Sequence, residues 1–314
     1  MPVDPQMQII IDLLESSGAG ELAKGSPQDV RGFLRISAGA DPSNTVQVGS
    51  VDDQDIAGPA GPLTVRIYRP ETTGPAPTVV FFHGGGMVAG DLDSHDDHGR
   101  MICRDVGAVV VSVAYRLAPE HPFPAAFDDC LAATRWAVDA IATLGGDPDR
   151  LAVAGDSAGG NLAAAVAIAA RTDGPQLAAQ LLVYPKTDFT EDTAYQSRID
   201  NAEGYFLTGE LADWFQGHYI SPDDIRDPRA SVLLAEDLSG VAPAVIGVGE
   251  YDLLRDEVTA YGKRLEGAGV AAVVHCFDGL IHGFYGMGLM SDAAADAVRT
   301  LNADLRRLLD AAVS

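Results

Sequence analysis

The sequence predicts an α/β protein whose core is a mostly parallel, doubly wound sheet. Three observations carry that reading. Several short segments are almost unbroken apolar runs, as strands must be when helices cover both faces of their sheet. From residue 78 onward these runs alternate with helical stretches, the βαβ rhythm of parallel strands joined by crossovers. One block, residues 187–230, breaks the rhythm with polar residues and scattered aromatics, and reads as a lid or cap inserted between two core strands.

Taken in order, residues 1–45 hold two helices, at 6–22 and 27–38, separated by glycine and serine. Alternating or β-branched runs at 46–51 and 63–69 predict the first strands. Thr78-Val79-Val80-Phe81-Phe82 predicts a buried strand, and 108–114, 151–154, 181–184, 244–248 and 271–277 repeat the pattern. Helices are predicted at 123–144, 158–171, 255–267 and 293–312, with Gly145-Gly146 and Gly267 as stop signals.

Composition narrows the function. The 314 residues are 47% apolar and 21% charged, ordinary for a globular chain, which argues against disorder and fibrous repeats. Lys+Arg 21 against Asp+Glu 45 leaves a net charge of −24, so nucleic acid and anionic membrane surfaces would repel it. Cys103, Cys130 and Cys276 lack the paired spacing of a disulfide framework or a zinc site. No basic leader precedes the first short apolar run, which reads as an amphipathic helix and not a signal peptide. No stretch approaches the roughly 18 apolar residues of a membrane span. The expectation is a soluble, reducing, cytoplasmic protein.

The sharpest local signal is Gly155-Asp156-Ser157-Ala158-Gly159, after a predicted strand and before a predicted helix. A strand that turns abruptly into a helix forces the serine into strained backbone, and the glycines keep neighbouring chains from clashing. The hydroxyl then stands at a helix N-terminus, where free N–H groups favour negative charge. The second signal, His83-Gly84-Gly85-Gly86, ends the strand at Phe82. Consecutive glycines let backbone amides converge on a tetrahedral oxyanion. A phosphate loop would instead place a lysine after the glycines, where Met87 stands.

A serine hydroxyl needs a base and an orienting acid. His282 lies in a loop past the last predicted strand, at the sheet end where functional groups gather, and is the expected base. Asp252 follows the preceding strand and is the expected acid, with Asp256 second. The chain order Ser157, Asp252, His282 is that of the nucleophile-elbow architecture. His83 is expected to brace its glycine loop and His121 to be structural, while His275 falls in a strand and His218 in the insertion. The ligand-rich run from Asp91 to His98 reads as a charged helix start with Asp93 as its N-cap, and no metal or other cofactor is expected.

With HGGG at 83–86, YRLAPEHPFPAA at 115–126, GDSAG at 155–159, YPKTD at 184–188, EYDLLRDE at 250–257 and HGF at 282–284, the chain resembles the bacterial hormone-sensitive-lipase family (family IV) of carboxylesterases. The resemblance implies an α/β-hydrolase core of eight strands, 46–186 and 231–314, capped by residues 1–45 and by the insertion 187–230. It further implies hydrolysis of short- to medium-chain acyl esters without a cofactor, and in many members a homodimer. Carried over by position, Ser157, Asp252 and His282 form the triad, and the N–H groups of Gly84, Gly85 and Ala158 hold the oxyanion. Met87, Asp156, Phe206 and Trp214 are the expected substrate-binding residues. The chain departs from the family pattern at Met87, Ala114 and Leu253, often an aromatic, Asp and Pro. Two rivals use the same residues: an amidase or lactonase, and a non-catalytic receptor, against which the intact His282 stands.

The net charge of −24 makes one prediction by itself: salt should stabilise the fold by screening self-repulsion. The melting temperature should climb between low and molar salt, and one that stays put would reject the idea.

Overall fold

The computed structural model describes residues 2–37, 45–72, 74–190 and 192–313. The end of the second predicted helix, at residue 38, and most of the boundary to the core lie outside them. Eight strands form one sheet in the order β1-β2-β4-β3-β5-β6-β7-β8. They are β1 (Ser50–Gly58), β2 (Gly61–Arg69), β3 (Ala76–Phe82), β4 (Val109–Val113), β5 (Gly146–Asp156), β6 (Ala179–Val183), β7 (Ala244–Gly249) and β8 (Ala272–Phe277). β1 and β2 form an antiparallel hairpin and β2 runs antiparallel to β4; every later pairing is parallel.

The helices between are α1 (Pro5–Ser16), α2 (Pro27–Ser37), α3 (Asp96–Ile102), α4 (Ala125–Asp139), α5 (Ile141–Leu144), α6 (Ala158–Asp173), α7 (Ser197–Asp200), α8 (Gly209–Tyr219), α9 (Arg255–Gly267) and α10 (Asp292–Ala311). β3, β4, β6 and β7 are buried along their whole length, as their apolar runs demand.

Local readings shift at the edges. The first strand spans 50–58 instead of 46–51, because Asp52, Asp53 and Asp55 point into solvent and only Ile56 is buried. The first helix stops at Ser16, since Gly18 turns left-handed at φ 91° and a 3₁₀ segment follows. The helix predicted at 123–144 begins at Ala125 and is broken at Ala140.

Two segments cover the C-terminal end of the sheet. α2 is fastened by Arg31, whose guanidinium donates to the carbonyls of Val88 (2.8 Å) and Ala118 (2.9 Å) and to Glu120. The insertion is fastened by Glu257 of α9, which is fully buried. Its carboxylate accepts from Arg198 (2.5 Å), Lys186 (3.4 Å) and the Thr187 N–H (2.7 Å). Asp256 accepts from the Ser197 N–H at the start of α7, so the second candidate acid serves the cap. Glu257→Ala would strand two cations with little water to replace the carboxylate. The loss should be about 3 kcal/mol or more of stability, read as a lowered urea midpoint; an unmoved midpoint would overturn this role.

Candidate active site

The site is assembled where β3 and β5 lie side by side, with Phe82 opposite Gly155. β5 ends at Asp156 and α6 begins at Ala158, so Ser157 alone makes the turn, at φ 53° and ψ −115°. That close crossing explains the glycines. A Cβ on Gly155 would strike the Gly159 carbonyl, and one on Gly159 would strike the carbonyl of Phe82.

The loop after β7 brings Asp252 and the loop after β8 brings His282. The Tyr251 N–H, donating to the Leu280 carbonyl at 2.9 Å, holds the two loops together. His282 Nε2 lies 2.9 Å from Ser157 Oγ, and His282 Nδ1 lies 2.7 Å from Asp252 Oδ2. The Leu254 N–H donates to Asp252 Oδ1 at 2.8 Å, which fixes the carboxylate. Asp252 is fully buried and His282 nearly so. The three residues predicted from the sequence therefore meet in one hydrogen-bonded chain.

The oxyanion expectation needs one correction. The Gly84 N–H donates to Asp156 Oδ1 at 2.9 Å and is spent. Gly85, Gly86 and Ala158 line the cavity beside Ser157, and among the described residues their N–H groups meet no protein acceptor. Gly86 was missed, although it stands in the same glycine run. The motif alone does not reveal which amides turn inward.

Asp156 is a brace more than a substrate contact. Burial would push its carboxyl up, but His95, His98 and His83 around it outweigh that and hold it at about 2. His83 is buried, stacked 4.2 Å from Tyr115, and bonded through Nδ1 to the Gly84 carbonyl at 2.8 Å. Burial lowers its pKa to about 4. Asp93 does not cap α3; it pairs with Arg66 while His95 occupies the N-cap position. His95, His98 and Asp156 form one cluster at the cavity wall. Of the remaining histidines, His275 pairs with Asp304, His218 bonds the Trp214 carbonyl, and His121 is exposed.

Above Ser157 opens a cavity of about 980 Å³, roofed by Leu14, Val30, Phe33 and Leu34 from the N-terminal segment and by Leu211 and Phe215 from the insertion. Met87, Asp156 and Phe206 line it as expected; Trp214 does not. α8 turns 211, 212, 215 and 216 toward the cavity, and Trp214 sits round the helix against Phe215 and His218.

The α/β-hydrolase-fold family matches residues 79–286, about two thirds of the chain. The chain is 42% identical over 315 residues to the carboxylic ester hydrolase LipN of Mycobacterium tuberculosis, covering 97% of this chain and 82% of that one. The chain belongs to the α/β-hydrolase family. Within it, the chain falls in the hormone-sensitive-lipase-like branch (family IV) and is a carboxylic ester hydrolase. It is also 43% identical over 255 residues to the M. tuberculosis carboxylesterase NlhH, 79% of each chain. A solved hyperthermophilic esterase from the archaeon Pyrobaculum calidifontis superposes with a TM-score of 0.92 at 38% identity, covering 98% of this chain and 99% of that one. Among the described residues, no helix is long and apolar enough to cross a membrane.

The buried His83 ring gives this α/β-hydrolase an acid limit. In the unfolded chain the ring takes a proton near its ordinary value of about 6.5, whereas the folded ring resists until about 4. Its contribution is therefore complete above about pH 6.5 and is lost as the pH falls toward 4, on the order of 3 kcal/mol. Urea unfolding of His83→Asn should show a smaller stability drop across that window than the parent; equal drops would refute it.

Proposed function

We propose that Ser157 is the nucleophile, His282 the general base and acid, and Asp252 the residue that orients the imidazole. The observation that carries this is the hydrogen-bonded chain Asp252–His282–Ser157, with distances of 2.7 and 2.9 Å, ending beside three unpaired amides. His282 takes the hydroxyl proton as Ser157 attacks the ester carbonyl. The developing oxyanion is held by the N–H groups of Gly85, Gly86 and Ala158, with the N-terminus of α6 adding its dipole. His282 then protonates the departing alcohol, and a water activated by the same ring releases the acid from the acyl-enzyme.

The substrates we assign are small acyl esters of short to medium chain. The largely apolar cavity of about 980 Å³ has a volume suited to such molecules. Three free cysteines, two of them buried, suit a reducing, cytoplasmic setting. The outer strand β8, with Val273 exposed, offers an edge through which two copies would pair.

A fluorophosphonate should label Ser157 and no other serine, and Ser157→Ala should lose both labelling and hydrolysis. Asp252→Asn should keep KM within a few-fold while kcat falls by about 10⁴. Full labelling of Ser157→Ala, or an unchanged kcat in Asp252→Asn, would overturn the assignment.

A further inference from the structure

One cluster at the cavity wall joins Asp156, the brace of the glycine loop, to two histidines that have no part in the hydrolysis described above. His95 is the N-cap of α3 and His98 stands in its first turns, while Asp156 arrives from the end of β5. One ligand atom from each, a ring nitrogen or a carboxylate oxygen, lies within 4.8 Å of the other two. Among the described residues no other group of histidine, cysteine and carboxylate side chains converges in this way. The residues are 9%, 8% and 5% exposed, yet each reaches the cavity, which gives an ion a way in.

The surroundings are those of a prepared site. Ser94 Oγ lies 3.0 Å from His95 Nδ1, which orients the ring and leaves Nε2 facing Asp156 Oδ2 at 3.7 Å. The Gly84 N–H ties Asp156 Oδ1 and leaves Oδ2 for a further partner. Metal-bound imidazoles and carboxylates are commonly held through their second atom in this manner. His98 contributes an unmet need: its Nδ1 is buried without any hydrogen-bond partner. Such an atom costs free energy until something satisfies it.

We propose that His95, His98 and Asp156 bind one divalent transition cation of the zinc or cobalt class. Two imidazoles and one carboxylate suit these borderline ions, whereas magnesium and calcium prefer an oxygen shell. The three ligand atoms lie within 4.8 Å of one another and must draw closer together around an ion that takes each at roughly 2.0–2.2 Å. The remaining positions face the cavity and take water. The site is independent of the hydrolytic triad, so the failure of either reading leaves the other standing.

The test uses the full chain, stripped with a chelator and titrated with Co²⁺. One ion per chain should bind, with a visible ligand-field band and a melting temperature that rises until one equivalent is added. His98→Gln and His95→Gln should each weaken binding by at least about 10-fold, and excess Mg²⁺ should not displace the ion. X-ray absorption of the loaded parent should show two imidazoles in the coordination shell. That measurement needs no variant, so it decides the matter even if a substitution fails to fold. An all-oxygen shell, the absence of saturable binding, or an affinity unchanged from the parent in both variants would overturn the proposal, leaving only ions held loosely by surface carboxylates.

Discussion

The turn at Ser157 is the constraint on which the rest of the structure depends. A non-glycine residue at φ 53° and ψ −115° lies outside the favoured regions and costs on the order of 1–3 kcal/mol. It persists because both of its flanks are fixed. β5 is locked between β3 and β6, with Asp156 opposite Val183, and the Ser157 N–H donates to the Val183 carbonyl at 2.8 Å. On the other side, α6 starts at once and packs on the same strands. The same β3–β5 pairing that enforces the strain also delivers the His83–Gly86 loop to the strand ends. Ser157 and the amides of the glycine loop are therefore placed by one register, and a slip of that register would lose both together.

Asp156 makes this coupling tighter. It precedes the nucleophile by one residue, and its carboxylate holds the Gly84 N–H. A movement of the elbow would therefore be felt by the glycine loop through a charged hydrogen bond. The bond is stronger to an ionised carboxylate, and burial opposes ionisation. Chief among the groups that favour the charged form is His95, whose Nε2 lies 3.7 Å from Asp156 Oδ2. His83 in turn bonds the Gly84 carbonyl, so both polar groups of that peptide linkage region are tied to one small network.

What was legible in the sequence was what is local or patterned. The apolar strands, the elbow and the glycine run are contiguous signals, and the acid and base each follow a strand whose end the sheet must bring to the site. Less legible were features set by direction or by distance along the chain. Gly84 and Gly85 are the same residue type in one run, and only the buried carboxylate of Asp156 decides which N–H is spent. Trp214 and Phe215 are adjacent aromatics, and helical phase alone sends Phe215 to the cavity. The run from Asp91 to His98 reads as a helix start because Asp156, which joins His95 and His98 in one cluster, comes from the distant end of β5. The β1 strand was misplaced because its acidic residues face water, so little burial marks its period.

The charge of the chain sharpens the electrostatic problem at the site. A net −24 opposes the build-up of an oxyanion, yet most of that charge is on the surface, where salt screens it over about 10 Å. The charges that matter are the buried ones, Asp156 and Asp252, which water does not screen. Each is answered locally: Asp252 by His282 at 2.7 Å, and Asp156 by its imidazoles and the Gly84 amide. Lys186, the lysine at the cavity wall, is held by Glu257 at 3.4 Å and leaves little positive charge to spare. On the proposed mechanism, stabilisation of the oxyanion therefore falls to neutral backbone dipoles already fixed in place. Such dipoles need no reorganisation as charge develops, and in a water-poor cavity their effect is larger than in bulk solvent. An enzyme with so acidic an exterior can thus carry out anionic chemistry because the field at the serine is set by three amides and one helix end, not by the sum of its charges.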